Sequence, residues 1–143
     1  MKRMFLAVVG LVLSGAALAQ SGKAPPVALK GYDPVSYFTP GQATPGKQGI
    51  VFVFDESRYQ FSSLKNKDLF AANPDKYTPQ FSGLCATGLG MGMKAEADPK
   101  VFKVIDGKLY VFSSTEALAA LEKDPSVLRK SQEAWNREHP AKK

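Results

Sequence analysis

Hydrophobic positions recur in two strand-like stretches of the chain, each divided by a short turn sequence. In IVFVFDESRYQF, which begins at Ile50, residues 55–57 separate two apolar runs. In VFKVIDGKLYVFSS, which begins at Val101, Asp106 and Gly107 do the same. An Asp-Gly pair between apolar runs is typical of a two-residue hairpin turn, because such turns need positive φ angles. The pattern therefore predicts two β-hairpins.

A helix is predicted directly after the first hairpin, in SSLKNKDLFAANPDKY. Ser62 or Ser63 can supply the N-cap oxygen, and Asn73-Pro74 should end the helix because proline disfavours helical backbone at the preceding residue. A partial apolar face would be formed by Leu64, Leu69 and Phe70.

The second hairpin is also followed by a predicted helix. Ser113 and Glu116 have the spacing of a capping box. Asp124-Pro125 should end this helix and begin another, since proline is favourable in the first turn after an aspartate cap. The last helix would carry Leu128 and Trp135 and end near Glu138.

The two predicted hairpin–helix segments match each other at an offset of 51 residues without a gap. We therefore predict an α+β fold in which two β-hairpin–helix units, an internal repeat, pack as one small domain, with the segment around Cys85 linking them. The matched pairs are Asp55 with Asp106, Tyr59 with Tyr110, Phe61 with Phe112, Ser62 with Ser113, Ser63 with Ser114, and Pro74 with Pro125.

The N-terminus has the layout of a secretory signal peptide: basic residues, an apolar stretch and then Ala17-Leu18-Ala19. We predict a signal peptide over 1–19, a linker over 20–26, the domain over 27–138 and a basic tail over 139–143. This organisation predicts a periplasmic protein. No second apolar stretch is long enough to span a bilayer, which predicts no stable membrane insertion.

The formal net charge of +6 is modest. An exported protein seldom meets nucleic acid, and we therefore expect no nucleic-acid partner. A metal ion or an envelope protein is the expected partner.

Cys85 is the only cysteine of the chain, and it lies in FSGLCATGLGMGM. A single thiol cannot form an intramolecular disulfide, and the protein should be a monomer or a disulfide-linked dimer. Met91 and Met93 follow, and in an extended loop both would point the same way. One thiolate and two thioethers suit Cu(I), which makes Cys85, Met91 and Met93 the candidate metal ligands and copper the candidate cofactor. The alternatives are a redox thiol and a buried, inert side chain.

Two further groups of residues are candidate parts of a site. Tyr32, Asp33 and Tyr37 form an aromatic and acidic cluster, which is either a packed turn or one wall of a pocket near Cys85. His139 is the only histidine and lies near the end of the chain. Its position disfavours hydrolase chemistry, which needs a firmly held base.

Four stretches of the chain carry a family resemblance: KGYDPVSYF, YQFSSLKNKDLFAANPDKY, GLCATG and DGKLYVFSS. Together they resemble the YHS domain family, and within it the small exported branch with a single domain. The resemblance implies a metal-binding module. It also implies that metal-associated members carry cysteines at the positions of Ser36, Ser62 and Asn66. A hydroxyl is a poor ligand for a soft metal, and the usual metal site of the family is therefore not expected here.

The sequence leaves three hypotheses about function. The first is an exported module that binds a soft metal, with copper favoured, in envelope metal handling. The second is a thiol redox protein in which Cys85 would be the catalytic residue. The third is a metal-free interaction module. A binding role is preferred over an enzymatic one.

Overall fold

The computed structural model describes residues 22–141, which form a mixed α+β domain of two antiparallel hairpins and their helices. The predicted fold class is confirmed. The predicted signal peptide lies outside the described residues. The strands are β1 (Lys47–Phe54), β2 (Ser57–Phe61), β3 (Asp98–Ile105) and β4 (Lys108–Phe112); the helices are α1 (Leu64–Ala72), α2 (Pro74–Tyr77), α3 (Ala86–Gly90), α4 (Thr115–Lys123) and α5 (Ser126–Glu138).

The two hairpins are equivalent in register as well as in sequence. Phe52 pairs with Tyr59 in the first hairpin, and Lys103 pairs with Tyr110 in the second. Both hairpins also have an irregularity at the matching place, after Lys47 and after Asp98. The offset of 51 residues therefore describes the backbone of the hairpins and not only their residue types.

The repeat is longer than the sequence indicates, because the segment before each hairpin is also repeated. We call this segment the arm; it covers residues 27–46 in the first unit (27–77) and 79–97 in the second unit (79–138). In the first arm the amide of Gly41 donates to the carbonyl of Ser36 at 2.9 Å, and in the second Met93 donates to Gly88 at 2.8 Å. The segment around Cys85 is therefore part of the second unit and not the predicted linker between units.

Each arm begins with a tight turn, at Ala28–Gly31 and at Gln80–Gly83. Two consecutive non-glycine residues in each turn have left-handed backbone angles, followed by a glycine with φ of 88° or 78°. Residues other than glycine seldom adopt left-handed backbone angles, because Cβ then crowds the backbone. The chain therefore reverses direction sharply at the start of each arm.

Helices α1 and α4 begin at serine caps, and the cap of α4 lies one residue later than the sequence predicts. The hydroxyl of Ser63 accepts the amide of Asn66, and the hydroxyl of Ser114 accepts the amide of Ala117, both at 3.1 Å. Ser114 rather than Ser113 caps α4, and the predicted capping box of Ser113 with Glu116 is therefore wrong.

The predicted apolar face of α1 is confirmed only at Phe70, which is fully buried. Leu64 and Leu69 are exposed, because α1 contributes a single ring to the core. The two expected helix ends are confirmed, since α1 ends before Asn73-Pro74 and α4 ends before Asp124-Pro125.

The buried side chains form three apolar clusters. One lies between the first hairpin and its helices around Phe70, and one lies between α3, α4, α5 and β4 around Phe112. The third joins the first arm to the second hairpin, where Tyr37 packs against Leu109 and Val111. This third cluster holds the two units together. Within residues 22–141, no helix is both long and apolar enough to cross a membrane.

Candidate functional site

Cys85 lies at the start of α3, where its side chain acts as the helix cap. Its sulfur accepts the amide of Gly88 at 3.5 Å, and only 1% of the residue is exposed. Phe81, Ala86 and Leu89 belong to the apolar cluster around it. The thiol is therefore placed as a small buried side chain, out of reach of a second protein molecule in the folded state.

The glycine-rich stretch after Cys85 is a short helix, not the loop that the sequence indicates. This helix, α3, lies directly against α5. A Cβ atom at Gly90 would come within 2.7 Å of both the hydroxyl of Ser131 and the carbonyl of Val127. The hydroxyl of Ser131 also donates to the carbonyl of Ala86 at 2.6 Å. Gly90 is therefore needed for close helix packing, and the segment is not the extended loop assumed for a shared methionine site.

The two methionines and the cysteine occupy different environments. Met91 is 65% exposed and Met93 is 52% exposed, whereas Cys85 is buried. His139 stacks on Trp135 with ring centroids 3.7 Å apart, and both residues lie at the end of α5. Among residues 22–141, no three His, Cys, Asp or Glu side chains are grouped so that they could hold a metal ion.

The best-defined polar site surrounds Asp33, which has no exposed surface. Its Oδ2 accepts the amide of Ser62 at 2.8 Å, the hydroxyl of Ser62 at 2.6 Å and the side-chain amide of Asn66 at 2.7 Å. Its Oδ1 accepts the amide of Val35 at 2.9 Å. A buried carboxylate is tolerated only when it is well hydrogen-bonded, and four donors meet that requirement here.

The neighbours of Asp33 complete a packed turn. The hydroxyl of Ser36 donates to the Asp33 carbonyl at 2.8 Å. The hydroxyl of Tyr37 donates to the carbonyl of Pro99 in the second unit at 2.7 Å. Burial, with smaller contributions from Tyr32, Asp33 and Asp98, raises the pKa of Tyr37. The structure thus brings Asp33 and Tyr37 together as buried packing residues, with Tyr32 partly buried beside them.

The three positions at which the resemblance places cysteines do come together in space. Ser36, Ser62 and Asn66 all bond to Asp33 or to each other, including a 3.3 Å contact from Asn66 to the Ser62 hydroxyl. Ser62 and Asn66 donate to the Asp33 carboxylate, whereas Ser36 donates to the Asp33 backbone carbonyl. These residues do not fit a soft metal ion, because hydroxyl and amide groups are poor soft ligands and are already engaged.

A cleft of about 240 Å³ lies between the two arms. Lys30 from the first turn and Glu96 from the second arm approach to 3.7 Å near it, with both side chains exposed. The cleft does not include Cys85, Asp33 or the methionines. It therefore does not join the candidate residues into one site.

The sequence indicates Asp33, Ser62 and Asn66 as candidate residues but not that they bond to one another. The one signal is the resemblance, which assigns Ser36, Ser62 and Asn66 to a single family site. The sequence does not reveal that Asp33 and Cys85 are equivalent positions of the two arms. That equivalence needs an offset of 52 residues, not 51.

The comparisons with known proteins find no matching family model, no matching curated protein and no matching solved structure. The YHS resemblance stays a prediction.

Proposed function

We propose that this chain is an exported, metal-free binding module, in which the YHS-like scaffold is kept and the soft-metal site is replaced by a closed polar network. The observation that carries the proposal is the Asp33 carboxylate, which takes up donors from Ser62, Asn66 and Val35. The carboxylate oxygens, which would be the ligands of an ion, already accept four hydrogen bonds inside the protein.

The position of Cys85 supports the same proposal. A thiolate is the form that binds metals and attacks disulfides, and reactive cysteines are partly exposed. Cys85 is buried among apolar side chains and caps a helix. Two predictions remain open: copper binding by Cys85, Met91 and Met93, and redox chemistry at Cys85. Both would require the thiol to leave its buried position.

The test is a Cu(I) titration of the reduced chain under a competing chelator, followed by native mass spectrometry. We expect the chain to retain no copper. A variant with Ser36→Cys, Ser62→Cys and Asn66→Cys should gain metal, because the three positions already converge and thiolates are soft ligands.

Copper retained by the natural chain would contradict the proposal. If the natural chain held one copper ion, and Cys85→Ser released it while Ser113→Ala did not, the metal-free proposal would be wrong. Ser113 is a suitable control because it is exposed and caps nothing.

A further inference from the structure

An apolar groove of about 350 Å³ lies on the second unit, between β3 and the junction of α4 with α5. Its volume and mostly apolar lining are in the range of small-molecule sites in proteins. The lining residues are Lys103, Ile105, Leu121, Glu122, Pro125 and Leu128.

The first unit shows what occupies the same place. At an offset of 51 residues, its equivalent positions carry four aromatic rings instead. Phe70 lies at their centre, with the rings of Phe52, Phe54 and Tyr77 at 5.9, 6.1 and 6.5 Å from it. Aromatic rings at such distances pack favourably, and Phe52 and Phe54 meet Phe70 edge to face. The corresponding volume in the first unit is therefore filled by the protein itself.

The second unit has the same hairpin register as the first but lacks the four aromatic rings. Lys103 pairs with Tyr110 as Phe52 pairs with Tyr59, which places the two strands in the same register. Ile105, Leu121 and Leu128 replace the other three aromatic residues. Protein interiors are closely packed, and the absence of four rings beside a hairpin of the same register leaves a space. The groove is that space, open to solvent.

We propose that this groove binds a small aromatic molecule, whose ring takes the place that Phe52 and Phe54 fill in the first unit. The ring would lie over Leu121, the equivalent of Phe70. Lys103 and Glu122 form an ion pair at the groove and offer a cation and a carboxylate to polar substituents of the ligand.

A small molecule fits this site better than a protein surface does. Protein interfaces need a wide apolar centre, and the large exposed hydrophobic side chains of the described chain lie elsewhere, on the first unit and at the methionines. Around the groove the exposed residues are charged or small, including Glu122, Lys123 and Ser126. The proposal names a ligand class for the proposed binding role, but it rests on the groove alone and stands whether or not copper binds.

The test is a titration of the isotope-labelled full chain with indole, followed by two-dimensional NMR. We expect saturable shifts at Ile105, Leu121 and Leu128, with a dissociation constant below about 1 mM. The double variant Lys103→Phe, Ile105→Phe restores the residues of the first unit and should weaken binding at least about tenfold, a difference of about 1.4 kcal/mol. It should also raise the melting temperature.

Val53→Phe is the matched control, since it adds a ring to an exposed strand position away from the groove and should leave indole binding unchanged. If the double variant did not fold, Leu128→Tyr, which restores the equivalent of Tyr77, would replace it. Absence of saturable shifts in the natural chain, or equal binding by the filled variant, would overturn the proposal. Copper uptake is measured separately, and failure of one proposal leaves the other intact.

Discussion

The two units build the same arm around two different buried side chains, Asp33 in the first and Cys85 in the second. The backbone amide of Asp33 donates to the carbonyl of Thr44 at 2.8 Å, and that of Cys85 donates to Ala95 at 2.9 Å. The side chains then differ. The carboxylate accepts four hydrogen bonds, whereas the thiol accepts one long contact from Gly88 and packs against apolar neighbours.

This difference shows that the arm does not depend on the chemistry at its centre. Turn geometry and hairpin register set the path of the backbone in both units. The first unit then joins its arm to α1 through a polar network, and the second joins its arm to α5 through close helix packing at Gly90. Duplication of one backbone has thus allowed the two centres to differ, and stability should respond differently to their removal.

The largest expected effect is at these two positions. Asp33→Ala should lower the free energy of unfolding by about 3–5 kcal/mol, because it leaves buried donors on Val35, Ser62 and Asn66 without an acceptor. Cys85→Ala removes one sulfur atom from an apolar cluster and should cost about 1–2 kcal/mol. Urea denaturation of both variants measures the difference.

Asp33→Asn is the control for shape, since it keeps an acceptor at similar volume and should fall between the other two variants. Equal losses for Asp33→Ala and Cys85→Ala would contradict the comparison. They would mean that the polar network adds little beyond filling space.

A smaller and symmetric effect is expected at the helix caps. Ser63→Ala and Ser114→Ala should each lower the free energy of unfolding by about 1 kcal/mol, because each removes the acceptor for one helix N–H group. Ser113→Ala, one residue away and exposed, should cost less than about 0.5 kcal/mol. Denaturation midpoints measure all three, and a larger loss at Ser113 than at Ser114 would argue against the observed cap.

The effect that is smallest at neutral pH, and develops only in alkaline solution, is a pH dependence at the equivalent tyrosines of the two hairpins, Tyr59 and Tyr110. Burial raises the pKa of Tyr59 to about 12, with a smaller contribution from Asp55, and burial also raises that of Tyr110. A raised pKa in the folded state means that the protonated tyrosine stabilises the fold below pH 10. For Tyr59 this contribution should be lost as the pH rises from about 10 to about 12.

Alkaline unfolding curves of Tyr59→Phe and Tyr110→Phe test this expectation. Tyr59→Phe should reduce the pH dependence in that range more than Tyr110→Phe does. An unchanged alkaline slope in Tyr59→Phe would show that this hydroxyl does not link pH to folding.

The hairpins and helix ends could be predicted from the sequence because their signals are local. Asp106-Gly107 is a turn on chemical grounds alone, and Pro74 and Pro125 end the preceding helices because proline disfavours helical backbone at the residue before it. The repeat was visible for the same reason, since turn and cap residues recur at one offset.

The arms could not be predicted because their signals are not local. The second arm has one residue between Met93 and Ala95 where the first has two between Gly41 and Thr44. A gapless comparison therefore misses the match. The left-handed turns begin at Leu29 and Phe81, residue types that rarely adopt such angles. The surroundings of Cys85 follow from packing against α5, which lies far along the chain.

The buried position of Cys85 makes it a built-in reporter on motion in the second unit. A thiol reagent in solution can attack only when the packing of α3 against α5 opens, and the modification rate therefore measures how often that opening occurs. The natural chain has no other cysteine to complicate the signal. No cysteine has to be introduced, and the reaction of Cys85 thus allows the local stability of this unit to be followed in real time.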